Sequence, residues 1–372
     1  MVAENRKIFN QLVHTLSYGD AISSEAITIK NLLREQGWQS DIYCLHVHPK
    51  LENDCQLIDK FNSGDKGDLL LHYSLGSPLN KIFEDYREGS KYLMYHNLTP
   101  PKWFEGYNRR VYDDLIDGAE ELPRVGAAAD CLIGVSDYNC EDLQRRGLPG
   151  AKKLPIPFDD NKWSLEANSG IKAALKGHGG KNFLHVGRIA PNKCIHDILK
   201  TFYFYHHKVS NKSRLWIVGN DSDCELYSLE LRRMVSEFNL KGAVEFVGSV
   251  SDCELKAFYQ NSDAYICMSE HEGFCVPLIE AMYFKLPVLA FNSSAIGETL
   301  GPAGLLIEEK APELVAELLA ALSFDSTLRD RLISSGLDQL QRFSLDNFRE
   351  SLFSIIESYS GSLPVQGNRA VV

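Results

Sequence analysis

The chain has 372 residues, 44% of them hydrophobic, and a formal net charge of −11 at pH 7. That length has room for two domains with their own cores, and the composition is that of an ordinary globular protein. The acidic balance excludes a general nucleic-acid binder, so any phosphate site must be a local concentration of positive groups.

In chain order, Ile8–Val13 reads as a strand and Ala21–Gln36 as a helix with apolar positions at helical spacing. SYGDAISSEA sets Gly19 and Asp20 at the junction between them. Glycine there lets backbone approach a ligand closely, and Asp20 reads equally well as a plain helix cap. Further strands are expected near Ile42–Leu45, Leu69–His72, Tyr92–Tyr95 and Cys131–Val135, an alternation that makes a parallel sheet covered by helices. YHNLTPPKWF puts His96 at a strand's C-terminal end, where a lone histidine is more often structural than chemical. Trp103, Phe104 and Tyr107 after it read as core or as an apolar surface for a lipid. Ser136 follows the next strand. LPIPFDDNKW has two prolines and then polar residues, which suits an extended crossover between domains.

Ser169–Lys181, rich in Gly and Lys, is expected on the surface. A second alternating series then gives strands at Phe183–Val186, Leu215–Val218, Val244–Val247, Ala264–Met268, Val288–Phe291 and Leu305–Ile307. Helices are expected near His196–Lys208, Cys224–Phe238, Ser251–Gln260, Pro277–Phe284 and Pro312–Ala321. Two such halves are doubly wound sheets whose strand C-termini line a cleft. VGRIAPNKC places Arg188 and Lys193 on a loop at such a strand end. An arginine fork and a lysine point charge can hold a diphosphate; the plainer reading is two solvated cations.

DAYICMSEHEGFCVPLIEAM, from Asp263 to Met282, is strand, Gly-containing turn and helix in succession, with Pro277 at the helix start. The free amides of the helix's first turn and the helix dipole offer a place for an anion beside Gly273, Phe274, Cys275 and Val276. Glu272 on the loop and Glu280 in the first turn can both face it, and a carboxylate suits the vicinal diol of a sugar or ribose. The spacing alone carries little, since Glu237/Glu245 and Glu309/Glu317 share it. Its placement across the strand–loop–helix junction is what counts.

SEHEGFCVPLIEAM resembles the E-x7-E signature of family 4 retaining nucleotide-sugar glycosyltransferases, and further matches follow in order along most of the chain. The resemblance implies an α/β GT-B fold of two Rossmann-like domains facing a central cleft. Residues 1–160 would form the acceptor domain and 165–343 the donor domain. The helix 344–360 would cross back onto the first domain, and 361–372 would be a loose tail. It implies that Arg188 and Lys193 hold the diphosphate, Glu272 the sugar hydroxyls and Glu280 the ribose diol. Backbone at Val247 would read the base. His96, Gly19 and, with less weight, Asp20 would complete the site from the first domain. Catalytic roles would fall to His96, Glu272, Arg188 and Lys193. No metal or cofactor is implied beyond the donor itself, UDP-glucose favoured over GDP-mannose. WIVGNDSDC carries Asp221-x-Asp223, similar to the metal-binding DxD of the GT-A fold, and stands as the metal-dependent alternative.

Rival classes lack their signatures: no GxGxxG follows a strand and no GxxxxGK[ST] occurs. A two-lobed solute-binding protein, a phosphorylase and an epimerase share the architecture implied. The expected partners are a nucleotide sugar and a glycan or lipid-linked acceptor, with peripheral membrane contact if the acceptor is a lipid. Nine cysteines without CxxC pairs read as buried thiols of a reducing compartment. No stretch reaches the length of a membrane span, and MVAENRKIFN has no secretory apolar core. Both set a cytoplasmic expectation.

Overall fold

The computed structural model describes residues 7–64 and 66–359. The first six residues and the tail expected to be loose lie outside the described residues. The chain divides into two compact units. One holds the described residues up to Leu98, Ile116–Ile156 and the stretch from Asp346; the other holds Thr99–Leu115 and Pro157–Leu345. Thr99–Leu115 thus leaves the first half of the sequence to pack with the second unit.

The first unit runs β1 (Phe9–Leu16), α1 (Ala21–Glu35), β2 (Ile42–Val47), β3 (Gln56–Leu57), β4 (Asp68–Tyr73), α2 (Pro78–Asp85), β5 (Lys91–Tyr95), α3 (Arg109–Ala127), β6 (Cys131–Gly134), α4 (Asp137–Arg145) and β7 (Lys152–Lys153), with the start of α3 grouped in the second unit. All its strands are parallel, in the order β3-β2-β1-β4-β5-β6-β7. Every residue of β5 is buried, as expected where helices cover both faces of a parallel sheet. α1 forms because Asp20 accepts from the Ser23 amide at 3.0 Å, while Ala26, Ile29, Leu32 and Leu33 lie on one buried face. The last described helix, Leu345–Tyr359, packs on this unit: Phe353 meets Trp38 at 6.3 Å, and Tyr92 donates to the Ile356 carbonyl at 3.3 Å.

The second unit continues with α5 (Ser169–Gly177), β8 (Asn182–Val186), α6 (Ile195–Phe204), β9 (Arg214–Val218), α7 (Glu225–Glu237), β10 (Val244–Gly248), α8 (Asp252–Asn261), β11 (Ala264–Cys267), α9 (Val276–Tyr283), β12 (Val288–Phe291), α10 (Ile296–Leu300), β13 (Gly304–Ile307), α11 (Pro312–Phe324) and α12 (Ser326–Leu340). Its parallel sheet has the order β10-β9-β8-β11-β12-β13. Both sheets with their flanking helices are the expected Rossmann-like α/β architecture. The segment after Ser169 is a helix, capped where Asn168 accepts from the Ile171 amide at 3.0 Å, and Leu175 is its one buried residue. Its two glycines and sparse apolar residues hid the helical period.

The strand order reverses between β1 and β4 in the first unit and between β8 and β11 in the second. Loops leaving such strands diverge and open a crevice above the sheet. Glycines hold the neighbouring strand ends together: Gly187 donates to Val218 and Gly219 to Gly248, each at 2.9 Å. Gly219 sits at φ +151°, and a Cβ there would lie 1.9 Å from the Gly187 carbonyl oxygen. No helix among the described residues is long and apolar enough to cross a membrane, and the described cysteines form no disulfide.

Gly219→Ala should therefore destabilise the fold by about 1–3 kcal/mol, the usual range for forced overpacking. Gly177→Ala, where an added methyl meets nothing within 4 Å, should leave the urea midpoint unchanged or raised. Equal midpoints for the two variants would remove the close-approach explanation.

Candidate functional site

In the second unit, the loops that leave β8 and β11 are zipped together at the strand reversal. The Glu270 amide donates to the Asn192 carbonyl at 2.9 Å, and Asn192 Nδ2 donates to the His271 carbonyl at 3.1 Å. This brings Lys193 Nζ to 2.6 and 2.7 Å from the two oxygens of Glu272. The side chains are only 20% and 10% exposed. Burial alone would raise the Glu272 carboxyl, but the Lys193 ammonium overcomes it and holds the group below the usual carboxylate range. Burial likewise opposes the charge on Lys193, and Glu272 reverses the shift upward.

α9 begins immediately beyond, at Val276 with Pro277 second. Cys275 enters it at φ +75° and no side chain caps its first turn, which leaves Gly273, Phe274, Cys275 and Val276 at the helix mouth. Glu280 is 4% exposed and already held: Lys162 Nζ lies 2.5 Å from one oxygen, and Tyr259 donates to the other at 2.7 Å. Each carboxylate oxygen keeps a second lone pair for a ligand hydroxyl.

Arg188 leaves the end of β8 with 41% of its side chain exposed, 3.4 Å from Asp223 and with its guanidinium 5.6 Å from the centre of the Phe104 ring. Phe104 is fully buried, and Tyr107 donates to Glu230 at 2.8 Å. The aromatic stretch after His96 thus seats Arg188 within the second unit. Val247 is the next-to-last residue of β10, before Gly248 at φ +80°.

The first unit carries the remaining expected residues at its own strand ends. Gly19 takes φ +79° with open space around it, so the turn demands glycine through its backbone angle and not through a close neighbour. The Asp20 carboxylate is engaged as the α1 cap on both the amide and hydroxyl of Ser23, at 3.0 and 2.9 Å. Ser136 likewise caps α4 through the Asn139 amide.

The His96 side chain is buried just beyond β5, 4% exposed. Its Nε2 lies 2.9 Å from His72 Nδ1, and its Nδ1 lies 3.7 Å from Glu25 Oε2. Burial pushes the His72 imidazole down to about 3 and His96 well below its ordinary value, the latter with help from His72. It pushes Glu25 up, with Asp20 adding to the effect.

Three groups among the described residues have donor atoms close enough to share a cation: Glu25 with His72 and His96, Cys194 with His196 and Asp197, and Cys267 with Glu272 and Cys275. Protein cations already neutralise two of them, Lys193 on Glu272, and Lys200 and Lys310 on Asp197 at 2.8 and 3.1 Å. In the third, the 2.9 Å between imidazole nitrogens is shorter than the about 3.3 Å that two ligands of one tetrahedral zinc require. The Asp221-x-Asp223 pair does not converge. Asp221 accepts from Ser228 at 2.6 Å, whereas Asp223 lies between Arg188 and Arg110, at 3.4 Å from each.

Sequence reasoning missed Lys162 and Tyr259 on Glu280, and Gln11, Glu25 and His72 around His96. No local pattern marks them: Lys162 is 118 positions from Glu280, and His72 is 24 from His96.

Residues 170–339 match the family model for glycosyl transferases group 1. The match lies within the second unit. The chain is similar to the O-antigen chain mannosyltransferase RfbU of Salmonella typhimurium, 31% identical over 52% of this chain and 52% of that protein. It is 32% identical to the GDP-mannose:cellobiosyl-diphosphopolyprenol alpha-mannosyltransferase of Xanthomonas oryzae pv. oryzae, over 46% of this chain and 43% of the relative. The chain thus spans about half the length of the curated relatives it matches. The crystal structure of Anabaena Alr3699/HepE in complex with UDP and glucose aligns over 95% of this chain and 100% of its own, with TM-score 0.73 and 15% identity. The chain has the GT-B fold and is related to glycosyltransferases of bacterial polysaccharide biosynthesis. Arg188, Lys193, Glu272 and Glu280 all lie within the matched residues.

Removing one partner of the Lys193–Glu272 pair leaves a buried charge alone. Lys193→Met should cost about 3–5 kcal/mol, and Lys193→Met with Glu272→Gln should cost clearly less, read by urea unfolding at pH 7. A double variant as unstable as the sum of the singles would refute the pairing. His72 differs in sign from Glu25. Between about 3 and its ordinary 6.5, folded His72 binds fewer protons than the unfolded chain, so it makes stability fall as pH drops. Glu25, held protonated, opposes this as pH rises above 4.5. His96, also pushed down, acts in the same sense as His72, and His72→Gln should lower the slope of unfolding free energy against pH between 5 and 6 by up to about 1.4 kcal/mol per pH unit. An unchanged slope would mean His72 is not buried neutral.

Proposed function

We propose that the chain is a nucleotide-sugar-dependent glycosyltransferase that moves a hexose onto a glycan or lipid-linked acceptor. The observation that carries this reading is the Lys193–Glu272 clamp beside the uncapped mouth of α9, at the strand reversal of the second unit. A nucleoside diphosphate leaving group gains negative charge as the glycosidic bond breaks. Groups that are already oriented stabilise that charge in the transition state without reorganising. Arg188, Lys193 and the amides around Cys275 and Val276 are such groups. Helix-end effects are about 0.3–1 kcal/mol each at exposed sites, so the two cations carry the larger share.

Glu272, with Lys193 occupying one side of its carboxylate, holds hydroxyls of the transferred sugar. Glu280, steadied by Lys162 and Tyr259, holds the ribose diol. Backbone at Val247 and Gly248 reads the base. By the family resemblance His96 and Gly19 serve the sugar and the acceptor; Asp20 acts through the α1 entry it caps. Retention of configuration follows the family resemblance. The reaction is metal-independent in this reading, since protein cations stand beside the carboxylates where a metal would have to bind. The setting is cytoplasmic, with peripheral membrane contact where the acceptor is lipid-linked.

GDP-mannose takes precedence over UDP-glucose as the donor, reversing the preference drawn from the sequence. The two relatives that are 31% and 32% identical to this chain are named mannosyltransferases, one of them for GDP-mannose. The HepE complex with UDP and glucose shares only the fold at 15% identity, which is too distant to choose a base.

The test is nucleotide release from a panel of GDP- and UDP-sugars, run with and without EDTA. GDP-mannose should give the largest rate and EDTA should leave it intact. Arg188→Ala should lower that rate by about tenfold or more with the fold unchanged. Binding and release confined to UDP-sugars would overturn the donor assignment. Loss of activity in EDTA restored by manganese would overturn metal independence.

A further inference from the structure

Glu25, His72 and Gln11 form a buried polar chain with His96 whose hydrogens can be assigned one by one. Gln11 Nε2 donates to the Ala26 carbonyl at 3.0 Å. Turning this amide over would set two oxygens against each other, so Oε1 is the atom that lies 2.9 Å from His72 Nε2. An amide oxygen only accepts, and His72 Nε2 therefore carries its hydrogen. His72 is buried and neutral, which leaves its Nδ1 a bare acceptor. The donor across the 2.9 Å contact must then be His96 Nε2–H. The two rings are within 13° of parallel with centroids 5.2 Å apart, a spacing that fits an edge-to-edge N–H···N bond.

Neutral His96 is left with a lone pair on Nδ1, and that atom faces Glu25 Oε2 at 3.7 Å. Neither Glu25 oxygen nor His96 Nδ1 has any hydrogen-bond partner, and all three are buried. A carboxylate against an imidazole lone pair would put two electron-rich ends face to face with no donor between them. An ion pair with an imidazolium would have to offset the desolvation of both charges, with no further hydrogen bonds to either carboxylate oxygen. A carboxylic acid supplies the missing hydrogen and buries no charge.

We propose that Glu25 is a positioning residue, held as a carboxylic acid, whose hydrogen directed at Nδ1 fixes His96 in the tautomer with its own hydrogen on Nε2. The relay Glu25–His96–His72–Gln11 then has every hydrogen placed, and its last member is anchored on the backbone of α1. The consequence for turnover rests on the proposed role of His96 toward the transferred sugar. A fixed tautomer keeps the hydrogen on Nε2, where it is a donor to His72 and, in that role, to a sugar hydroxyl.

The direct test is infrared difference spectroscopy of the full chain at pH 7. A protonated-carboxyl carbonyl band is expected in the wild type and absent from Glu25→Gln. Nitrogen NMR should report His96 hydrogen on Nε2. In nucleotide release from GDP-mannose, Glu25→Met, of similar length but without a donor, should lose about tenfold or more with its unfolding midpoint unchanged or raised. Glu25→Gln, which keeps an N–H toward Nδ1, should recover most of that loss. A missing carboxyl band, a hydrogen on His96 Nδ1, or a Glu25→Gln variant as slow as Glu25→Met would each overturn the proposal. Wild-type release from His96→Phe, with band and tautomer as expected, would sink the sugar-facing role of His96 while leaving the proton assignment supported.

Discussion

One buried ion pair organises the second unit's chemistry. The Lys193 ammonium bridges both oxygens of Glu272, joining the loop after β8 to the loop after β11 where the strand order reverses. Each charge would be costly there alone, and each is tolerable because the other is within hydrogen-bonding distance. The backbone bonds from Asn192 to Glu270 and His271 hold the loops so that the pair forms without searching. What results is a fixed cation beside a fixed anion at an open helix mouth, the arrangement that a phosphate next to a hydroxyl-bearing sugar would need.

The surrounding groups are secured in the same manner. Lys162 and Tyr259 hold Glu280 in one orientation. Arg188 lies over Phe104 and reaches Asp223. The carboxylate that resembles half of a metal motif is therefore a counter-ion for guanidinium groups. The first unit solves the opposite problem. Around His96 it buries polar groups without burying charge, by pushing imidazoles and a carboxyl toward their neutral forms.

How much of this was legible depends on the range of the interaction involved. Strands such as Tyr92–Tyr95 and Val288–Phe291 were readable because an apolar run between turn residues has few other uses. The helix from Ala21 was readable because its cap and its apolar spacing both sit in adjacent sequence. The helix at Ser169–Gly177 was not, since its glycines and exposed lysines carry no hydrophobic period. Its one local signal was Asn168 as a cap. Asp20 shows the remaining ambiguity: an N-cap and a ligand-binding carboxylate look the same in sequence, and only the bonds to Ser23 tell which role the side chain is filling.

The sequence by itself determined the alternating α/β plan, the strand–loop–helix junction around Glu272 and the loop cations Arg188 and Lys193, because turn chemistry and periodicity act between near neighbours. Tertiary structure alone decided which charges meet. Lys193 and Glu272 are 79 positions apart, and Lys162 and Glu280 are 118. It also decided that Thr99–Leu115 belongs with the second unit and that His96 is one link in a buried chain. The physical reason is that burial and partner distance set a side chain's charge and orientation, and neither exists until segments remote in sequence have packed together.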